Sequence, residues 1–209
     1  MNDKIVIIAN GSITGINFHK KLLEDADLII CADGGANTAK KMNIRPDYII
    51  GDFDSADSSI LDFFKDQNTN IIKDQNENKT DLELALSLAE SLDPREILII
   101  GAFGDRIDHT LANILCLTKI KAGVKAKMID NKNIIELVEK SIDIDGEKGS
   151  IISIVPLTDV SGLSYSGMKW LLSDKNTKFG WFGISNKLTK NNAKVSLSEG
   201  KILVIHIRE

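Results

Sequence analysis

Residues 48–55 read YIIGDFDS, and the rest of the chain is organised around them. Tyr48, Ile49 and Ile50 form a short apolar run of the kind a buried strand shows. Gly51 closes it, and Asp52 and Asp54 follow two residues apart. Along an extended backbone, positions i and i+2 face the same side, so both carboxylates are expected to project together from a strand end. Two like charges side by side repel, and a hard divalent cation such as Mg²⁺, which takes oxygen ligands, would compensate them. Turn and helix-capping acids explain the same pair, because Asp favours both places. This stretch alone leaves the two readings open.

Residues 1–130 alternate between apolar runs and segments of helical spacing. Strands are expected at 5–9, 28–32, 48–50, 70–73, 97–100 and 124–129. Helices are expected at 16–26, 36–42, 58–65, 81–91 and 108–121. The last of these places Leu111, Ile114, Leu115 and Thr118 on one face. Strands alternating with helices imply a parallel sheet covered on both faces, and such sheets bind ligands outside the carboxyl ends of their strands. Small and acidic residues follow four of these strand ends: Asn10-Gly11-Ser12, Asp33-Gly34-Gly35, Gly51-Asp52 and residues 101–105. Neither GxGxxG nor GxxxxGK[ST] occurs, so the dinucleotide fingerprint and the P-loop are excluded.

Near residue 130 the pattern changes. Segments 134–138, 150–156, 179–184, 193–197 and 202–207 are short and β-rich. Asp145-Gly146, Ser161-Gly162, Ser166-Gly167 and Glu199-Gly200 punctuate them. No helix is expected here, and short strands at close spacing predict a small sandwich or barrel.

The 209 residues, 43% hydrophobic and 27% charged, fit a soluble globular protein of one large and one small domain. A net charge of −4 argues against a nucleic-acid binder that relies on bulk positive charge. The opening MNDKIVIIANGS lacks a basic n-region before a long apolar core, so no signal peptide is expected. No run approaches the roughly 18 apolar residues of a membrane span, and a cytoplasmic protein is expected. Cys31 and Cys116 lie inside apolar runs and read as buried free thiols rather than a disulfide or a zinc site.

Three further segments carry candidate chemistry. Thr80 with Glu83 fits a capping box, which puts Asp81 in the first turn of a helix. There Asp81 either complements the helix dipole or serves as a third metal ligand arriving from a neighbouring strand end. In GAFGDRIDH (residues 101–109), Asp108 suits a helix cap, and Arg106 on a glycine-containing loop suits paired bonds to phosphate oxygens. In the β-rich part, Trp170 is either core or a ligand platform, and Ser185-Asn186 is either a turn or a pair of polar ligand contacts.

Asp33-Gly34-Gly35-Ala36-Asn37, Gly51-Asp52-Phe53-Asp54-Ser55, Thr80-Asp81, Arg106-Ile107-Asp108-His109, Gly167-Met168-Lys169-Trp170 and Ser185-Asn186 occur in this order. As an ordered set spanning nearly the whole chain, they resemble the thiamine pyrophosphokinase family. The resemblance implies an α/β chain: a Rossmann-like parallel-sheet domain over residues 1–130, nucleotide-binding and catalytic, then a small all-β sandwich domain over residues 131–209 that binds thiamine. It implies transfer of pyrophosphate from ATP to the thiamine hydroxyl, releasing AMP, with Mg²⁺, in a homodimer whose active sites are shared between subunits.

Carried over by position, Asp52, Asp54 and Asp81 match the metal-binding acids. Asp52, Asp81, Arg106 and Asp108 are the expected catalytic set, with Asp81 or Asp108 taking or orienting the hydroxyl proton. Asn10, Asp33, Gly34, Gln75, Thr80 and Arg106 are expected at the nucleotide. Trp170, Ser185 and Asn186 are expected at thiamine. The family commonly has Gly-Gly-Arg where this chain has Gly104-Asp105-Arg106, so an extra acid stands beside the expected phosphates. Two alternatives accompany this expectation: a pyrophosphokinase for another small heteroaromatic alcohol, and a non-catalytic sensor of nucleotide or thiamine.

Overall fold

A computed structural model describes residues 3–74, 76 and 78–208. The chain divides into two compact units, Met1–Asn131 and Lys132–Glu209.

The first unit is built on six strands: β1 (Lys4–Ile8), β2 (Leu28–Ala32), β3 (Tyr48–Gly51), β4 (Asn70–Lys73), β5 (Glu96–Ile100) and β6 (Lys125–Ile129). They lie in the order β6-β5-β1-β2-β3-β4, and every pairing is parallel. The apolar runs follow from that geometry, because a parallel strand is covered on both faces and needs no polar alternation. Ile5, Ile7 and Ile8 of β1 and Ile97, Ile99 and Ile100 of β5 are all fully buried. The strand order reverses between β1 and β5, and a sheet of this kind binds ligands at the carboxyl edge beside that switch point.

Five helices connect the strands: α1 (Ile16–Leu23), α2 (Gly35–Lys41), α3 (Ser58–Lys65), α4 (Asp81–Ser91) and α5 (Ile107–Cys116). The expected capping box is present on α4: the Glu83 amide donates to Thr80 Oγ1 at 3.3 Å, and the Thr80 amide donates to Glu83 Oε2 at 2.9 Å. Helix α5 departs from expectation. It starts at Ile107 with Arg106 as N-cap, so Asp108 lies inside the first turn and caps nothing. Its carboxylate is taken instead by the Arg106 side chain. The apolar face is open, with Leu111 56% and Leu115 41% exposed and Ile107, one turn earlier, 74% exposed.

The second unit has two antiparallel sheets. One runs β12 (Gly183–Lys187), β9 (Ile151–Pro156), β14 (Ile202–Ile207), β7 (Asn133–Val138). The other runs β11 (Leu172–Thr177), β10 (Val160–Ser166), β13 (Asn192–Ser196), β8 (Ser141–Asp145). Their inner faces share one core in which Ile152, Leu163, Val195 and Ile202 are buried, as a sandwich requires. Strands β8, β10 and β11 were not expected. SIDID of β8 and LSDKNT of β11 are largely polar and exposed, VSGLSYS of β10 is broken by serines and a glycine although Val160, Leu163 and Tyr165 are buried, and all three are strands because of their partners. The strand expected at 179–184 is corrected to Gly183–Lys187, since the chain turns at residues 178–181 before it, the Trp181 amide donating to the Lys178 carbonyl at 3.0 Å.

His206 on β14 is buried against Gly146, and its Nε2 has no hydrogen-bond partner. Burial, with the Arg208 charge nearby, lowers its pKa below the ordinary 6.5. Below pH 6.5 the unfolded chain therefore takes up a proton that the folded chain refuses, and stability falls as the pH drops. Thermal melts between pH 7 and pH 5 are expected to show a steeper loss of Tm in the wild type than in His206→Leu. Parallel slopes would contradict this account of His206.

Candidate active site

Four acids meet at the carboxyl edge of β2, β3 and the start of α4. One carboxylate oxygen each from Asp33, Asp52 and Asp54 lie within 4.8 Å of one another. Asp81, the first residue of α4, feels the charges of all three; burial and this repulsion raise its pKa to about 6. Asp33 is buried, and its pKa is raised by burial, partly offset by hydrogen bonds from Gly34 and Ser55.

The convergence arises differently from the extended i, i+2 arrangement expected. Strand β3 ends at Gly51, and Phe53 takes a left-handed φ of 66°. The Asp54 amide donates to Asp52 Oδ1 at 3.0 Å, closing a tight turn that folds both acids toward β2. Asp33, also left-handed at φ 42°, is fixed at the end of β2 by its amide bond to the Ile50 carbonyl. Its Oδ2 accepts the Ser55 amide at 3.1 Å. Backbone strain of this kind persists only where the surroundings hold it.

The arrangement suits a hard divalent cation. Asp33 Oδ1 is buried without a hydrogen-bond partner, and among the described residues no ion pair reaches Asp33, Asp52, Asp54 or Asp81. Several oxygen donors, two of them exposed and adjustable, match what Mg²⁺ requires. Asp33 thus joins the expected metal acids Asp52, Asp54 and Asp81 rather than standing apart from them.

Gly51 is what lets these acids approach. A Cβ there would stand 2.9 Å from Asp33 Cβ and 3.0 Å from Asp81 Oδ1. Asp33 is buried and cannot yield, so Gly51→Ala is expected to displace Asp81 and weaken Mn²⁺ binding by ~10-fold or more, on the scale of disrupted metal-site support. Calorimetric titration of Mn²⁺ into the variant checks this, and unchanged affinity would contradict the crowding.

A cavity of about 720 Å³ opens beside the acids, within the first unit. Of the residues expected at the nucleotide, Asn10, Gly34, Thr80 and Arg106 line it, as do Asp52 and Asp81. Gln75 lies outside the described residues. The β1 and β5 loops border the cavity and are zipped together, the Gly11 amide donating to Gly101 O and the Ser12 amide to Phe103 O, each at 2.7 Å. Thr110 Oγ1 and Asn113 Nδ2 of α5 hold the second loop at Gly104 and Ala102.

Arg106 lies at the mouth, its Nε 3.1 Å from Asp108 Oδ1 and its Nη2 2.6 Å from Asp108 Oδ2. This pairing holds the Asp108 carboxyl well below the usual range. Asp105 lines the same cavity. Lys41, Lys79 and His109 line it too and were not expected there. Lys79 stands beside the Thr80-Asp81 motif, which was a usable signal; Lys41 ends a helix and carried none.

In the second unit, Trp170 is 54% exposed, so it is not core. Asn186 is buried and grips the Trp170 backbone at both polar ends: its Oδ1 accepts the Trp170 amide at 3.1 Å, and its Nδ2 donates to the Trp170 carbonyl at 2.8 Å. Ser185 is exposed, left-handed at φ 60°, and donates its amide to Ser153 Oγ at 3.1 Å. Lys169 Nζ sits 4.8 Å from the Trp170 ring centroid, a cation–π contact on an exposed indole.

Comparison with known proteins gives one consistent answer. The family profile described as "Thiamin pyrophosphokinase, catalytic domain" matches residues 19–128. The profile described as "Thiamin pyrophosphokinase, vitamin B1 binding domain" matches residues 138–202. A thiamine pyrophosphokinase of Bacillus subtilis is 31% identical, over 96% of this chain and 97% of its own length. Thiamine pyrophosphokinase 1 of Arabidopsis thaliana is 26% identical, over 95% of this chain and 84% of its own. A crystal structure of thiamine pyrophosphokinase from Bacillus subtilis superposes with a TM-score of 0.87 at 29% identity, covering 99% of this chain and 100% of that one.

Proposed function

Because this chain belongs to the thiamin pyrophosphokinase family and is an enzyme, we propose that it transfers the pyrophosphoryl group of ATP to the hydroxyl of thiamine, giving thiamine diphosphate and AMP. The thiamine oxygen attacks the β-phosphorus, the bond from that phosphorus to the α,β-bridging oxygen breaks, and AMP leaves with the bridging oxygen. The observation that carries this reading is the group of four carboxylates, one with a buried unpartnered oxygen, beside a cavity that Arg106 also lines.

Asp33, Asp52, Asp54 and Asp81 would hold Mg²⁺. Bound there, the ion would neutralise charge on the phosphate oxygens, which is the main demand of phosphoryl-type transfer. The protein's own part is positioning. Arg106 offers a planar fork of donors that fits phosphate as well as it fits Asp108. When Arg106 turns to the transferred group, Asp108 loses its partner, becomes more basic, and is free to receive the hydroxyl proton or orient it. Lys41 and Lys79 add positive charge to the same cavity. Asn10, Gly34 and Thr80 would face the nucleotide. The strand order, reversing between β1 and β5, supports reading the first unit as a Rossmann-like nucleotide-binding domain.

Thiamine carries a cationic ring, and the exposed face of Trp170 already attracts one cation, Lys169. Trp170 would stack on thiamine, with Ser185 beside it and Asn186 fixing the backbone from below. A homodimer that shares its active sites completes the reading. Supporting it are an exposed apolar stripe on α5, Ile107, Leu111 and Leu115, and exposed Phe179, Phe182 and Ile184 in the second unit. A cytoplasmic location accords with two buried unpaired thiols, Cys31 and Cys116. Among the described residues no helix is long and apolar enough to cross a membrane.

A panel of small heteroaromatic alcohols, read by AMP release in the presence of ATP and Mg²⁺, tests the reading. AMP is expected with thiamine. Release with another alcohol and none with thiamine would overturn the substrate, and tight thiamine binding without AMP would overturn catalysis.

A further inference from the structure

Residues 52–57 link β3 to α3, and their acids Asp52 and Asp54 are exposed to solvent. Carboxylates within 4.8 Å of one another repel, so a loose loop would spread them apart. One tether is the bond from the Ser55 amide to Asp33 Oδ2. The other comes from Asn37 on α2. Its Nδ2 donates to the Ser55 carbonyl at 3.1 Å, and its Oδ1 accepts the Asp57 amide at 3.3 Å. One side chain thus grips the loop on both sides of Ala56. Asp57 in turn caps α3, its Oδ1 accepting the Ser59 amide at 2.9 Å.

The grip is firm because α2 cannot move. Gly35, Ala36 and Ala39 are buried, and a Cβ on Gly35 would stand 2.0 Å from the Ile8 carbonyl oxygen, so α2 lies directly on β1. Asn37 lies in the first turn of α2, and its side chain makes its hydrogen bonds to the loop rather than to the helix. An amide side chain offers a donor and an acceptor fixed in one plane, which suits bridging a carbonyl and an amide.

We propose that Asn37 is a positioning residue for the acid cluster: by clamping Ser55 and Asp57 to α2, it preorganises Asp52 and Asp54 against Asp33 for a divalent cation. This rests on the reading that the acids hold Mg²⁺. Asn37 acts through the loop rather than as a ligand.

The test is Mn²⁺ titrated into nucleotide-free wild type and Asn37→Ala, with free Mn²⁺ read by electron paramagnetic resonance. The variant is expected to bind Mn²⁺ ~10-fold or more weakly, the usual range for lost outer-shell support. Its Tm in EDTA should stay close to the wild type. The Mg²⁺ concentration for half-maximal AMP release should rise in parallel, with kcat recovered at saturating Mg²⁺. A purely structural role would lower Tm and kcat at every Mg²⁺ concentration. If Asn37→Ala does not fold, Asn37→Ser, too short to bridge, takes its place. Wild-type protein that binds no Mn²⁺ overturns the metal reading and this proposal with it. A variant that binds Mn²⁺ as the wild type does overturns this proposal alone.

Discussion

Asp52→Asn is expected to lower kcat for AMP release by at least ~10²-fold, the scale of losing one group that stabilises transition-state charge. The fold should be untouched. Asp52 Oδ1 accepts the Asp54 amide, and the Asn side chain keeps an oxygen in that place, so the turn through Phe53 survives. The variant also removes one of the like charges that push the Asp81 pKa up to about 6. In EDTA its Tm should therefore equal or exceed that of the wild type, because the cluster destabilises the cation-free protein. Loss of activity with equal or greater stability is the signature of a group kept for function. Near-normal kcat at saturating Mg²⁺ would contradict the role given to Asp52.

Trp170→Ala is expected to raise KM for thiamine by about 30-fold, equivalent to ~2 kcal/mol, the size of a desolvated cation–π contact. KM for ATP should barely change. The indole is half exposed, and its backbone is held by Asn186 through main-chain bonds that Ala retains, so the loss should come from the ring and not from unfolding. Trp170→Phe, which keeps a weaker π face, should fall between the two. Steady-state kinetics with each substrate varied in turn separates these outcomes. A thiamine KM within twofold of the wild type would remove Trp170 from the thiamine site.

The first unit could be read from the sequence because a strand covered on both faces has to be apolar throughout. KIVII and EILII, with burial along nearly their whole length, are of this kind. The capping box on α4 was equally legible, since both its hydrogen bonds lie within four residues. Strands β8, β10 and β11 were not. LSDKNT has no apolar alternation, and its pairing with β10 is set by a partner strand, with Gly162 left-handed at φ 67° within that partner. That the apolar face of α5 is open was not legible, because a helical stripe of Ile and Leu looks the same whether it meets its own core or none.

The candidate site divides in the same way. Asp52 and Asp54 are neighbours in sequence and were visible at once. Asp33 joins them only because β2 pairs with β3 in register, which no local pattern reveals. The left-handed turn at Phe53 was hidden too, because a bulky residue rarely adopts that conformation without support from the surrounding fold. Asn37 sat inside a recognised motif, yet its grip on Ser55 and Asp57 depends on where α2 packs.

The measurement that tests the central claim most directly is mass spectrometry of the purified protein incubated with thiamine, ATP and Mg²⁺, with EDTA as control. Thiamine diphosphate and AMP in equal amounts, both lost with EDTA, is the predicted result. Thiamine monophosphate with ADP would place the attack at the γ-phosphorus and contradict pyrophosphoryl transfer. Product formed equally well in EDTA would contradict the metal role of Asp33, Asp52, Asp54 and Asp81.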